Sequence, residues 1–297
     1  MIIESHLDVT RAALEAMAQT KDARLREILV SLVTHVHRFI RDVRLTEAEF
    51  REAAALINKM GQLTNDHHNE TILMAGSLGV SSLVCLLNNG DDGQTETAQS
   101  LLGPFWRLNS PHIANGESIV RSHTSGPKLF VNGRVITGSG DPVSGAEVDV
   151  WHASPVGLYE NQDPEQAEMN LRGKLRTAED GSFSFRTVMM SGYPIPTNGV
   201  VGALLEAQGR SPYRPAHLHA LIAKPGFKVL ISQVYSPHDP SIETDPQFGV
   251  TKALMGDFVR HDQPHPSAKD VSAPWYSLDH VYVMEPGEMV FPVPPIK

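Results

Sequence analysis

The stretch from Arg214 to Ala223 reads RPAHLHALIA. Residues i and i+2 of a β-strand point to the same face. His217 and His219 therefore stand side by side on one face, and Leu218 turns to the other. The run that follows, LIA, is apolar and reads as the body of the strand. Two imidazoles at this spacing can aim nitrogens at a single metal ion. The plain alternative is a pair of core histidines, with Arg214 in a salt bridge at the strand start. No Asp or Glu occurs in ALIAKPG, residues 220–226. A site of two histidines and one carboxylate is thus not written locally, and any further ligands must come from elsewhere.

Outward from this strand the second half of the chain is β-rich. The runs LFVNGRVI (129–136), AEVDVWHA (146–153), SFSFRTV (182–188), KVLISQVY (228–235) and DHVYVME (279–285) are divided by GSGDPVSG, AEDG and AKPG. Short runs between such turn signals predict an all-β sandwich or barrel. The same texture between Val131 and Val188 occurs in non-catalytic sandwiches, so a binding module stays open on that segment alone.

The first hundred residues read as helical. Val9, Ala12, Ala13, Ala16 and Met17 form one stripe over 8–21. Leu25, Ile28, Leu29, Leu32, Val36, Phe39 and Ile40 form another over 22–43. TEAE at 46–49 is a capping-box pattern opening a third helix. A fourth is predicted over 69–88, stopped by NNGDDG. The expected fold class is α+β, with a helical N-terminal segment over 1–105 and a β-sandwich domain over 106–297.

The chain has 297 residues and a formal net charge of −9. A nucleic-acid partner or an anionic membrane surface calls for a basic face, so neither is expected. No apolar run reaches the roughly 20 residues that span a bilayer. Cys85 is the single cysteine, which rules out an intrachain disulfide. With no signal-peptide pattern, a cytoplasmic protein is expected.

Two of the six tyrosines lie in unusual loop contexts. Tyr159 closes VWHASPVGLYEN and Tyr193 sits in SGYPIP. Each alone reads as a rim residue that packs its ring and wets its hydroxyl. Both, flanking the approach to an H-x-H strand, point to phenolate ligation. A phenolate is a hard anionic donor suited to Fe(III), and a trivalent cation supplies the stabilisation its ionisation needs. His35 and His37, His67 and His68 fall on predicted helices, and His261 and His265 in a Pro-rich loop. These read as surface or polar core residues.

On these residues the sequence resembles the intradiol ring-cleavage dioxygenases, in their catechol and hydroxyquinol 1,2-dioxygenase branch. The resemblance covers nearly the whole chain: LGVSSLV (78–84), LLGPFWR (101–107), GAEVDVWHASPVGLYEN (145–161), SGYPIPTNGVVG (191–202), YRPAHLHALI (213–222) and the downstream turn DPQFGV (245–250). It implies one mononuclear non-haem Fe(III) per subunit and no organic cofactor. Tyr159 and His217 would be equatorial ligands, Tyr193 and His219 axial ones. Tyr193 would also act as a base, Arg214 would stabilise charge on the reacting ring, and Gln233 would face the cavity. Both atoms of O2 would enter a small aromatic diol or triol. The favoured ring is hydroxyquinol, with catechol or chlorocatechol as the alternative.

By the same resemblance Leu73, Gly76, Leu102, Gly103, Pro104, Phe105, Ile195, Pro196 and Arg214 would line the ring pocket. Hydroxyquinol members often carry an aspartate where this chain has Gly76, in ILMAGSLG, and the glycine is expected to open space there. A homodimer through the N-terminal helices is implied, with a phospholipid in an apolar tunnel. Two readings outside the family remain open from the residues alone: another iron or copper oxygenase built on H-x-H, and a sandwich without metal.

Overall fold

The structure is a computed structural model that describes residues 2–65, 68–89 and 99–294. The apolar stripes become helices where caps are available. Helix α1 (His6–Ala18) begins after Ser5, whose backbone N–H donates to Asp8 at 2.8 Å. Helix α2 (Ala23–Val43) opens on Asp22, which accepts from the Leu25 N–H at 2.6 Å. It ends on Arg44 in the left-handed region, φ 53°. Before α3 (Glu47–Leu63) the capping box forms as expected, with Glu49 accepting from the Thr46 N–H at 2.8 Å. Side-chain acceptors at these places satisfy N–H groups that lack an intrahelical partner.

The single helix predicted over 69–88 is two: α4 (Glu70–Ser77) and α5 (Val80–Asn89), bent by 74°. Gly79, at φ +75°, adopts a conformation that ends a helix at little cost only for glycine. Among the described residues no single helix is long and apolar enough to cross a membrane.

Ten strands, one further α-helix and a short 3-10 helix (Lys252–Leu254) follow among the described residues: β1 (Lys128–Thr137), β2 (Glu147–Trp151), β3 (Arg172–Arg176), β4 (Ser182–Val188), β5 (Tyr193–Pro194), α6 (Val200–Ala207), β6 (Tyr213–Arg214), β7 (His217–Ala223), β8 (Leu230–Tyr235), β9 (Asp257–His261) and β10 (Trp275–Met284). Neither β3, β9 nor α6 is evident in the sequence pattern. His261, expected in a loop, closes β9. His68 is not helical; it bridges to Asn65, and His67 lies outside the described residues.

Contacts divide the chain into two units, residues 1–59 and 60–297. In the first, α1 meets α2 through Thr10, whose hydroxyl accepts from Arg41 at 2.9 Å and bonds the His37 Nδ1 at 3.0 Å. In the second, two four-stranded sheets, ordered β4-β1-β10-β9 and β3-β2-β7-β8, face each other. The core between them takes Leu129, Val131 and Val135 of β1, Val148 and Val150 of β2, and Leu218, Ala220 and Ile222 of β7.

On its other face β2 carries Asp149, 2% exposed, which accepts from the Trp106 indole N–H at 3.1 Å. Burial pushes its carboxyl up to about 6, against the lowering effects of Trp106 and Lys174. Between the ordinary 3.8 and about 6 the folded chain thus binds the extra proton. This residue's contribution to stability is lost as pH rises through 6. Asp149→Asn keeps an acceptor for Trp106. Urea unfolding at pH 5 and pH 7.5 should show the variant gaining about 1.4 kcal/mol on the wild type at the higher pH.

Candidate active site

Because β7 sends Leu218, Ala220 and Ile222 into the sandwich core, His217 and His219 share the opposite face. Their Nε2 atoms lie 3.1 Å apart. Trp151 is the cross-strand partner of His219 and stacks on it at 4.6 Å and 8°. Tyr159 arrives on the loop after β2, and Tyr193 opens β5. Their hydroxyls are 3.5 Å apart, and the Tyr193 and His217 rings are 5.6 Å apart. The four side chains expected as ligands thus come together, and all are buried.

The donor set fits a metal cation. The Nδ1–H of His217 donates to the Pro215 carbonyl at 2.7 Å, which leaves a lone pair on Nε2. Burial, then the Arg214 charge, lowers the His217 imidazole to about 3. Burial holds His219 well below the ordinary range, with His217 adding to it. Both rings are therefore neutral, as ligation requires. Burial pushes the Tyr159 phenol well up, and Tyr193 adds to it. Ionising a phenol here calls for a nearby cation to offset the lost hydration. Among the described residues no group of three or more His, Cys, Asp and Glu side chains could hold a metal. Any ligand set built here therefore draws on the tyrosines.

Arg214 is buried and its charge is matched locally. Its Nε donates to Asp245 at 3.1 Å, and one terminal nitrogen reaches Asp245, Gln233 and the Tyr235 hydroxyl at 3.2, 3.2 and 2.5 Å. Burial alone would lower the guanidinium, but the Asp245 charge outweighs it and holds it above its ordinary value. Burial would likewise raise Asp245, and Arg214 keeps it low. Arg214 is thus both the salt-bridged residue of the plain reading and a cation beside the histidines. Gln233 also donates to the Leu101 carbonyl at 2.5 Å, which fixes the 101–107 segment over β8.

Of the expected pocket residues, Leu73 packs with Ile195 and Val201. Leu102 and Phe105 pack with the Tyr159 and Tyr193 cluster, and Phe105 stacks on Tyr159 at 4.2 Å. Gly103, at φ +72°, passes so close that a Cβ would lie 3.1 Å from His219 Cε1. Pro104 and Pro196 are exposed. Gly76 corrects the sequence reading. The space beside it is not open, because a Cβ there would fall 1.8 Å from Oε1 of Gln247.

Several residues of the site escaped the sequence reading. Tyr235 lies 5.2 Å from the His217 ring and is hidden by an ordinary strand pattern. Asp245 sat in plain view in DPQFGV, read there only as a turn. Glu160, next to Tyr159, accepts from Arg172 at 2.7 Å and from Arg107 at 3.0 Å. The Arg172 guanidinium carbon then lies 5.9 Å from the Tyr159 ring centroid. Removing one partner of a buried ion pair strands the other charge. Asp245→Asn should therefore cost about 3 kcal/mol in equilibrium unfolding, and a loss below about 1 kcal/mol would contradict a buried pair.

Residues 101–272 match the family model described as "Dioxygenase", and residues 22–96 match "Catechol dioxygenase N terminus". The chain is 38% identical to a 6-chlorohydroxyquinol 1,2-dioxygenase of Cupriavidus pinatubonensis, over 94% of this chain and 97% of that protein. It is 37% identical to a hydroxyquinol 1,2-dioxygenase of a Rhizobium species, over 90% and 91%. Among solved structures, a hydroxyquinol 1,2-dioxygenase from Pseudomonas putida DLL-E4 superposes with a TM-score of 0.85 at 34% identity, covering 95% of this chain and 99% of that one. With the family model matched over more than half its length, and with buried tyrosines and histidines converging as that chemistry requires, the chain belongs to the intradiol ring-cleavage dioxygenases.

Proposed function

We propose that this enzyme is a hydroxyquinol 1,2-dioxygenase. It opens benzene-1,2,4-triol between its vicinal hydroxyls, giving 3-hydroxy-cis,cis-muconate or its tautomer maleylacetate. One observation carries the reading: two tyrosine hydroxyls and two imidazole Nε2 atoms meet in one buried place. The substrate is supported by the hydroxyquinol and chlorohydroxyquinol names of the relatives at 37% and 38% identity. Catechol or a chlorocatechol is the second reading.

One Fe(III) per subunit would be held by Tyr159, Tyr193, His217 and His219. When bound, it supplies Lewis acidity that draws electron density from a catecholate. Around it, Tyr193 Oη takes a proton from a ring hydroxyl. Arg214, held by Asp245, keeps its guanidinium against charge that develops on the ring. Gln233 fixes Arg214 and the Leu101 carbonyl in one network. Leu73, Leu102, Phe105 and Ile195 exclude water from the ring, and Gly103 lets the backbone pass His219.

The same reading includes cytoplasmic residence and division near residue 105 into a helical segment and the catalytic sandwich. It also includes a homodimer. Leu25, Ile28, Leu32, Val36 and Phe39 of α2 are all more than 40% exposed, an apolar stripe suited to a second copy. A bound phospholipid would be found by mass spectrometry of a solvent extract.

Purified protein should be red-brown from tyrosinate-to-Fe(III) charge transfer, with one iron per chain, and Tyr159→Phe should lose most of that colour. Oxygen uptake with hydroxyquinol, catechol and chlorocatechols side by side should give hydroxyquinol the highest kcat/KM. A clear preference for catechol overturns the substrate, and a colourless protein that cannot take up iron overturns the site. Leu32→Glu should turn the dimer to monomer in light scattering.

A further inference from the structure

We propose that the Gln247 carboxamide, admitted by Gly76, reads the hydroxyl that a substrate ring carries beyond its vicinal pair. The inference rests on the ring-cleaving function proposed above. Gly76 lies inside α4, where glycine is disfavoured relative to alanine, and it is not among the residues at positive φ. No backbone conformation therefore calls for it. Its consequence is spatial: Gln247 Oε1 occupies the place a side chain at 76 would fill.

The carboxamide is held in place. Gln247 Nε2 donates to Ser77 Oγ at 2.7 Å, its backbone N–H donates to Asp245 at 3.2 Å, and its carbonyl accepts from Ser82 at 2.9 Å. The residue is 7% exposed. Its Oε1, by contrast, has no hydrogen-bond donor among the described residues. Oε1 is not one of the fully enclosed polar atoms without a partner; it faces accessible space, from which a donor can approach it.

The surroundings indicate the donor. Gln247 belongs to the same turn as Asp245, which holds Arg214. On α4, one turn before Gly76, Leu73 packs with Ile195, two residues past Tyr193. The free acceptor therefore sits in the wall joining the Arg214 side of the site to the Tyr193 side. A third ring hydroxyl can donate to it, whereas catechol has no third hydroxyl and a ring chlorine cannot donate.

The test is the ratio of kcat/KM for hydroxyquinol to that for catechol, on iron-loaded enzyme. Gln247→Leu should lower this ratio about tenfold, as for one lost hydrogen bond, mostly through hydroxyquinol. Gly76→Ala, whose methyl overlaps Oε1, should act in the same direction, and should add little on top of Gln247→Leu. Gln247→Glu keeps an acceptor in place and should keep the ratio. Equal losses on both rings, or an unchanged ratio in Gln247→Leu and Gly76→Ala, overturn the inference. A wild type that prefers catechol overturns the proposed substrate but leaves the ratio readable, so the two failures are told apart.

Discussion

Strand β7 is buried on both faces, and the site depends on that constraint. One face completes the sandwich core with Leu218, Ala220 and Ile222. The other is roofed by Trp106, Trp151, Tyr159 and Tyr193, with Leu102 and Phe105 against them. In that enclosure protonated imidazoles are disfavoured, so His217 and His219 stay neutral with their Nε2 atoms face to face. An exposed H-x-H pair would be half protonated near its ordinary range and free to rotate. Burial makes it a fixed pair of lone pairs.

Burial of this kind forces the charges nearby to be matched. Arg214 is answered by Asp245, and Glu160 by Arg172 and Arg107. The acidic partners are paired with the arginines, and the donor set itself is two tyrosines and two neutral imidazoles. That arrangement suits a metal whose charge is to be partly offset by phenolates. It also keeps a guanidinium close enough to His217 for its charge to be felt there. The turn carrying Asp245 then does two things at once: it anchors Arg214, and through Gln247 it packs against α4.

Periodicity reveals what depends on neighbours three or four residues away. The stripes of α1 and α2 and the Thr46–Glu49 capping box are local, and they are seen where they were read. The break after α4 was missed because Gly79 looks like any glycine until its φ is known. β3 reads RGKLR, with no apolar alternation, because Arg172 is buried by an ion pair rather than by hydrophobicity. α6 was hidden in a glycine-bounded apolar run. Of the site, the H-x-H pair and the two loop tyrosines stand out by residue type, whereas Tyr235 and Trp151 look like ordinary strand aromatics.

By itself the sequence determined the helical first segment, the β-rich second one, the shared face of His217 and His219, and the family through its motifs. These rest on period, turn chemistry and residue type, all of which are local in the chain. Only the tertiary structure decided which acid answers Arg214, how Glu160 and Arg172 lie by Tyr159, and what fills the space beside Gly76. Those contacts join residues far apart in sequence. No spacing rule links Gly76 to Gln247; a Cβ and a carboxamide competing for one volume do.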